Sequence, residues 1–464
     1  MSGKIEMYEK AQTTKYQTLY MANRLYFVEN IHTISLSNEE KDVKYIITLE
    51  DVERSEEIAQ RELNQERFGN EHRDGEEIPT PFVFLRDINE IPRLKDSRYA
   101  LHEGQYVYQD NETGEFEAAY KDSLAKSRLN KNLRLRNKLI ALRGNNEHEE
   151  ERNEDIEAFL KNAFAESYHV NVGHGNCTII LICNSGDYRL WMFDCGAKEK
   201  GHGHSNYPNI LACIDDIANR LNKGVDELRI SKLFISHWHY DHISGFQLLV
   251  KNGFINKHTQ CYINLFYAHS SQCANDMLAK LVQLGMKCYE PTASLPIPAV
   301  TILHPECRIR KKVHPYDTTP CRIVTKANDA SVVYAVTIGG ETMVLPGDLE
   351  NNGWDAMTSA RTCFQKHPLC YTNYYCVSHH GSSTGHVNIP CLGRSHYPNV
   401  GICIKAGSLQ RTILMGRDGA YHGIYDRGVV NYWVNILRYS EHDNQNHKCR
   451  AYILEWGRNN ERYL

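Results

Sequence analysis

The sequence predicts an α/β protein in which sheets covered by helices follow a smaller α+β module. Three observations point to it. From residue 168 onward short apolar runs alternate with helical stretches, and most of those runs are apolar on both faces, as strands covered on both sides are. Histidines and aspartates fall where those runs end. All fifteen cysteines lie between Cys177 and Cys449, so the first 176 residues differ in composition from the rest.

In the N-terminal part the strand-like runs RLYFVENI, YIITLEDV and TPFVFLRDI alternate with one charged helical stretch, ERSEEIAQRELNQERF. A hairpin is expected at GQYVYQDNETGEFEAAY, where Asp110, Asn111 and Gly114 supply turn chemistry. Residues 121 to 143 place Leu124, Leu129, Leu133 and Leu139 near helical spacing among eight Lys or Arg side chains. Such a helix suits phosphates or the acidic face of a partner; the alternative is a solvated helix balanced by the acidic run EHEEERNEDIEAF beside it. The acidic, Asn-rich stretch 144 to 155 reads as a linker, which sets the expected domains at 1–160 and 161–464.

In the second region YHVNV, CTIILIC and YRLWMFD read as three successive strands, followed by a helix near 208 to 222 and the strand KLFIS. TILH, SVVYAVTI, TMVLP, YYCVS and VGICI follow as strands, with helices near 271 to 285, 350 to 362 and 427 to 438. With 24% charged residues, 41% hydrophobic residues and a net charge of -4, nothing in the bulk composition argues for polyanion binding. No apolar run approaches the roughly 18–20 residues that cross a bilayer, and MSGKIEMYEK has no apolar core for a signal peptide. A cytoplasmic protein without a membrane role is therefore expected. The cysteines are odd in number, scattered and without a CxxC pair, which favours buried thiols over a disulfide framework.

The chemistry concentrates in KLFISHWHYDHISG. Its apolar run is a buried strand, and His237, His239, Asp241 and His242 lie in the turn that leaves it. Imidazole and carboxylate suit zinc, manganese or iron, and alternation through a turn lets neighbouring side chains converge. Surface histidines would be the bland explanation, but chance seldom assembles an HxHxDH pattern.

HWHYDH resembles the HxHxDH signature of the metallo-β-lactamase fold superfamily. The resemblance implies an αββα sandwich, two mixed sheets flanked by helices. It also implies an aspartate in a Gly-Asp pair that bridges two metals, matched here by Gly347 and Asp348 in TMVLPGDLE, and an early strand-end aspartate, matched by Asp194. A narrower resemblance, over roughly residues 168 to 440, is to the metallo-β-lactamase-like domain of competence DNA-uptake proteins. It rests on VNVGHGNCTIILI, TILHPE, NDASVVYAV and YYCVSHHGSS, with His174, Gly175 and Asn176 at the first turn and His379, His380, Gly381 and Ser382 in the last. This chain departs from those proteins at His239, where they commonly carry an aspartate, and it lacks their channel segments.

By that resemblance the metal ligands are His237, His239, Asp241, His242, Asp348 and His379, with His422 the alternative to His379. His237 and His239 would serve one metal, Asp241 and His242 the other. Many superfamily members have a further histidine before the bridging aspartate; the closest position here is Asn328, which leaves the first metal one protein ligand short and Asn328 free to contact substrate. His386, His304, His202 and His204 are expected to be loop histidines or substrate contacts. Two divalent cations, zinc or manganese, would activate a water for attack. Asp241 and His380 are the expected catalytic residues, His380 as the acid for the leaving group. Ser382 and Ser383 would present donors to a phosphate, or form a plain turn.

The function expected is a metal-dependent phosphodiesterase or nuclease. Hydrolysis of esters, lactones or thioesters at the same centre is the alternative. A third reading makes the N-terminal module a docking arm for a protein partner with latent hydrolase activity, as in the effector of a prokaryotic antiviral defence assembly.

Overall fold

The structure is a computed structural model that describes residues 23–35, 43–68, 81–95, 97–110, 113–119, 121–143, 153–172, 175–197, 205–305, 309–311, 322–324, 326–350, 352–354, 372–381, 399–401, 451–455 and 460–463. The chain divides into two compact units. One takes in the N-terminal residues through Arg134 together with Ala268–Asp276, and the other takes in most of the remainder.

The first unit is an antiparallel sheet in the order β3-β2-β1-β4-β5, built from β1 (Asn23–Ser35), β2 (Val43–Asp51), β3 (Phe82–Ile88), β4 (Tyr106–Asp110) and β5 (Phe116–Ala118). Helix α1 (Val52–Phe68) follows β2 directly. The two-residue period of β1 sends Tyr26 and Val28 to a core with Ile47, Leu49 and Phe116, and Leu25 and Phe27 to a second core with Val52, Tyr106 and Ala125. Pairing of β1 with β2 slips between Val28 and Asn30, and the intervening Glu29 is wholly buried, 2.9 Å from His269 Nε2.

Helix α2 (Ser123–Arg143) starts in this unit, with its first turn capped by Asp122, whose Oδ1 accepts from the N–H groups of Leu124 and Ala125. Its inward face carries Arg128 and Asn132, while Leu129 and Leu133 are 42% and 50% exposed. That inversion is possible because Arg128 reaches Glu50 at 2.9 Å and Glu56 at 3.1 Å. Residues 268 to 276 are held within the same unit: Tyr106 donates to Ser270 O, and Asn132 donates to His269 O and Asn275 Oδ1.

In the second unit, α3 (Asn153–Leu160) precedes a meander of β6 (Phe164–Val170), β7 (Thr178–Asn184) and β8 (Asp187–Phe193). Helix α4 (Tyr207–Leu221) leads to β9 (Ile230–Phe234), then α5 (Tyr240–Ile243), α6 (Phe246–Lys251), β10 (Gln260–Tyr262), α7 (Gln272–Leu284, whose residues through Asp276 belong to the first unit) and β11 (Cys288–Tyr289). Next come β12 (Val300–His304), a small parallel pair of β13 (Ile309–Lys311) and β14 (Arg322–Val324), β15 (Val333–Ile338), β16 (Glu341–Leu345), β17 (Thr372–Cys376) and β18 (Asn399–Gly401). The described chain ends with β19 (Ala451–Glu455) and β20 (Asn460–Tyr463).

Two mixed sheets result, β11-β10-β9-β8-β7-β6-β19-β20 and β12-β15-β16-β17-β18. Ile180, Trp191, Phe193 and Phe234 of the first share one core with Ile302, Tyr334, Val336, Met343 and Tyr374 of the second, so the sheets face each other. The apolar stripe Ile210, Cys213, Ile214 and Ile217 of α4 is buried as well. This is the expected mixed α/β sandwich behind an N-terminal β module. The expected helix near 427 to 438 lies outside the described residues, as does most of the one near 350 to 362. Among the described residues no helix is long and apolar enough to cross a membrane.

Strands β8 and β9 run parallel, as do β16 and β17, and it is past the C-terminal ends of these four that Asp194, Ser236–His242, Gly347–Asp348 and Ser378–His380 lie.

Candidate metal centre

Strand β9 ends in Phe234, stacked between Phe193 and Tyr262 at ring-centroid distances of 4.4 and 4.6 Å. Beyond it the chain stays non-helical to His239 and then coils into the short α5. Alternation in the first part separates His237 and His239 from Trp238, whose indole N–H donates to Asn264 O at 2.7 Å. His237 Nε2 and His239 Nδ1 come within 3.0 Å. The helical turn then brings back Asp241 and His242.

The backbone of this turn is held from two sides. Cys195 N donates to His242 O at 2.7 Å, and Asn176 N donates to Asp241 O at 3.2 Å. The approach is close enough to demand glycine: a Cβ on Gly196 would lie 1.9 Å from Asp241 O, and one on Gly175 would lie 2.6 Å from it.

Asp194 organises the first layer of contacts. It accepts from Ser236 N at 2.7 Å, from Ser236 Oγ at 2.8 Å and from His242 Nδ1 at 2.8 Å. His242 Nε2 points inward, 3.2 Å from Asp348 Oδ1; a proton held on Nδ1 by Asp194 would leave the Nε2 lone pair to a metal bound there. Asp348 follows the left-handed Gly347, and its N–H donates to Ser331 Oγ at 3.2 Å.

Asp348 is the hub. Its Oδ2 lies 3.9 Å from His237 Nε2, 3.9 Å from His379 Nε2 and 3.5 Å from His380 Nε2. His380 Nε2 is also 3.5 Å from Asp241 Oδ2. All seven of these side chains, His239 included, are buried. Burial pushes the Asp348 carboxyl up, but the surrounding imidazoles of His380, His242 and His379 outweigh it and hold the group well below the usual carboxylate range. Burial acts to lower His242 and His380, yet Asp348 draws positive charge onto both, leaving His242 well above its ordinary value and His380 raised to about 9. His379 is lowered by burial, against Asp348 and Glu350. A buried carboxylate that stays ionised needs positive charge beside it, which a bound cation would supply in place of the protons on the imidazoles.

The donor atoms fall into two sets, each within 4.8 Å: His237, His239 and Asp348, and Asp241, His242, Asp348 and His380. Among the described residues His242 Nε2 and Asp348 Oδ1 have no hydrogen-bond partner, although they face each other at 3.2 Å. Two ligands of one ion would be placed in this way, and the mixed nitrogen and oxygen donors fit zinc or manganese.

The structure thus brings together His237, His239, Asp241, His242, Asp348, His379 and His380, with Asp194 behind them. It groups His380 with Asp241 and His242, and sets His379 between Asp348, Asn328 Nδ2 at 3.2 Å and Glu350 Oε1 at 3.5 Å. Asn328 is fully buried beside Glu350, its Nδ2 3.0 Å from Oε1. His304 is a buried strand-end residue with Nδ1 2.7 Å from Ser331 O. His174, His202, His204, Ser382, Ser383, His386 and His422 lie outside the described residues. Glu350, Ser236 and Trp238 carry contacts that the sequence reading did not single out; only the position of Glu350, two residues after Asp348, hints at its role.

Residues 171–260 match the family model of the Metallo-beta-lactamase superfamily. That stretch contains His237 to His242 and stops short of Asp348 and the His379–His380 pair, which the fold brings to it. Among solved structures the chain is similar to the metallo-beta-lactamase fold protein YhfI from Bacillus subtilis, at 16% identity and a TM-score of 0.24 over 46% of this chain and 70% of that one. It is also similar to a diphosphatase from the PhnP family, at 10% identity and a TM-score of 0.23 over 46% of this chain and 73% of that one. No curated protein matches the chain.

Proposed function

We propose that this chain is a metal-dependent hydrolase of phosphodiesters, with nucleic acid as its substrate class. One observation carries the proposal: two buried donor sets share the carboxylate of Asp348. When bound there, two divalent cations would activate a water and polarise a phosphoryl oxygen. The chain's own part is to hold that geometry. Asp194 fixes the tautomer of His242, Trp238 anchors the backbone between His237 and His239, and the buried walls keep bulk water from the donors.

The likeness of YYCVSHHGSS and NDASVVYAV to DNA-uptake proteins supports a phosphodiester over a carboxylic ester, lactone or thioester. Lys126, Arg134 and Lys138 on the exposed side of α2 add cations suited to a phosphate backbone.

The test is a panel of single- and double-stranded DNA, RNA, cyclic dinucleotides, carboxylic esters, lactones and thioesters, each with Mn²⁺ or Zn²⁺. Cleavage of a phosphodiester that is lost in both His237→Ala and Asp348→Ala is the expected result. Equal activity in the variants would remove the site, and turnover of carboxylic esters alone would overturn the substrate class.

A further inference from the structure

We propose that Asn264 is a positioning residue for the donor set of His237, His239 and Asp348, with Arg136 of α2 as its outer support. The two halves of the metal turn then have separate anchors. The proposal rests on the metal-centre reading above and names what fixes the first half of that turn.

Strand pairing is the first support. β9 and β10 are parallel neighbours with Phe234 opposite Tyr262, so the two chains leave the sheet side by side at their C-terminal ends. One residue past β9, Ile235 N donates to Tyr262 O at 2.9 Å. Two residues past β10, Asn264 O accepts the indole N–H of Trp238 at 2.7 Å. Both residues are buried, so a Trp238 N–H deprived of this acceptor has no bulk water to turn to. Trp238 stands between His237 and His239 in the chain, and a shift of its backbone carries both imidazoles with it.

The second support is the loop that presents this carbonyl. Asn264 Oδ1 accepts from Phe266 N and from Tyr267 N, each at 3.0 Å. A side-chain oxygen that receives the N–H groups two and three residues further on folds the backbone into a turn and fixes the peptide that starts it. Arg136, in the last two turns of α2, holds the next carbonyl: its Nη1 donates to Leu265 O at 2.9 Å. Burial pushes the Arg136 guanidinium down to about 10, which leaves it protonated at neutral pH. A charged donor makes the stronger kind of hydrogen bond to that carbonyl.

The third support is what holds the rest of the turn. Asp241 and His242, members of the other donor set, are tied through their carbonyls to Asn176 N and Cys195 N. Those donors flank β7 and β8, which lie on the other side of β9 from β10. Ser236, before the first histidine, is held from that side too, by Asp194. Past Ser236, the β10 side supplies the bond to Trp238. Because metal ligands tolerate only about 0.2 Å of displacement, loosening one anchor is felt first by the donor set it holds.

The test titrates the full-length, chelator-treated protein with Co²⁺, reading visible absorption and the metal retained after desalting. His239→Ala marks the step of the first set and Asp241→Ala that of the second. Asn264→Ala removes the acceptor for the Phe266 and Tyr267 N–H groups; it is expected to weaken the first step roughly 10–100-fold and change its absorption, with the second step kept. Asn264→Asp keeps an acceptor there and should restore most of the loss. Arg136→Met should weaken the first step about tenfold. Trp238→Phe deletes the indole N–H, so selective loss of the first step in that variant carries the test if Asn264→Ala fails to fold. A wild-type first step in Asn264→Ala, or in Trp238→Phe where Asn264→Ala does not fold, would overturn the proposal alone. Equal weakening of both steps in Asn264→Ala would do the same, and a wild-type first step in Arg136→Met would overturn the role given to Arg136. A wild-type protein that takes up no Co²⁺ would overturn the proposal together with the metal centre.

Discussion

Gly196→Ala should disable the metal turn without touching a ligand. The new Cβ would sit 1.9 Å from Asp241 O and 2.8 Å from Asp241 C, whereas real Cβ contacts stay beyond 3.0 Å. The Asp241 carbonyl must therefore retreat by about 1 Å, the difference between those distances, against the hydrogen bonds Cys195 N to His242 O and Gly196 N to Asn176 O. Asp241 and His242 belong to the four-residue donor set, and metal ligands tolerate only about 0.2 Å of displacement. A loss of second-site affinity of roughly 10–100-fold is expected, with about 1–3 kcal/mol of destabilisation from overpacking. Elemental analysis, and thermal unfolding with and without added Zn²⁺, read the two effects separately. Gly186→Ala is the control, since its φ of +88° makes a side chain costly but nothing lies within 4 Å of the new Cβ. It should lose about 1–2 kcal/mol and keep its metal. Wild-type metal content and affinity in Gly196→Ala would refute the reasoning.

Three further outcomes are expected. Burial pushes the His169 imidazole down to about 4, below its ordinary 6.5, so its contribution to stability is complete above pH 6.5 and is lost as the pH falls toward 4. Chemical denaturation of wild type and His169→Gln should diverge across that window by at most about 3 kcal/mol, and parallel curves would contradict it. Arg128→Ala leaves Glu50 buried without its cation and should cost about 3–5 kcal/mol, much of it recovered when Arg128→Met is combined with Glu50→Gln. If the double variant is no more stable than the single one, the pair is not the cause. Asp122→Ala removes the acceptor for the N–H groups of Leu124 and Ala125 and should lower stability by about 1 kcal/mol, with faster amide exchange confined to the first turn of α2.

How legible the molecule is in its sequence depends on the range of the interaction. The runs KLFIS, TMVLP and YYCVS are strands because their apolar residues are contiguous, and the observed β9, β16 and β17 overlap them. HWHYDH is read as a ligand-bearing turn because its residue types and spacing are local. The same local reading sees eight cations over residues 121 to 143 but not that Arg128 and Asn132 turn inward while Leu129 and Leu133 face solvent. That orientation depends on Glu50 and on residues 268 to 276, far away in the chain.

By itself, then, the sequence determined the α/β architecture and the clustered ligand types. Only tertiary structure decided that one carboxylate, Asp348, stands among four imidazoles and that Glu350 lies 3.5 Å from the Nδ1 of one of them, His379. The physical reason is that secondary structure follows from periodicity along the chain, whereas a donor set is defined by atoms a few ångströms apart that the sequence separates by more than one hundred residues.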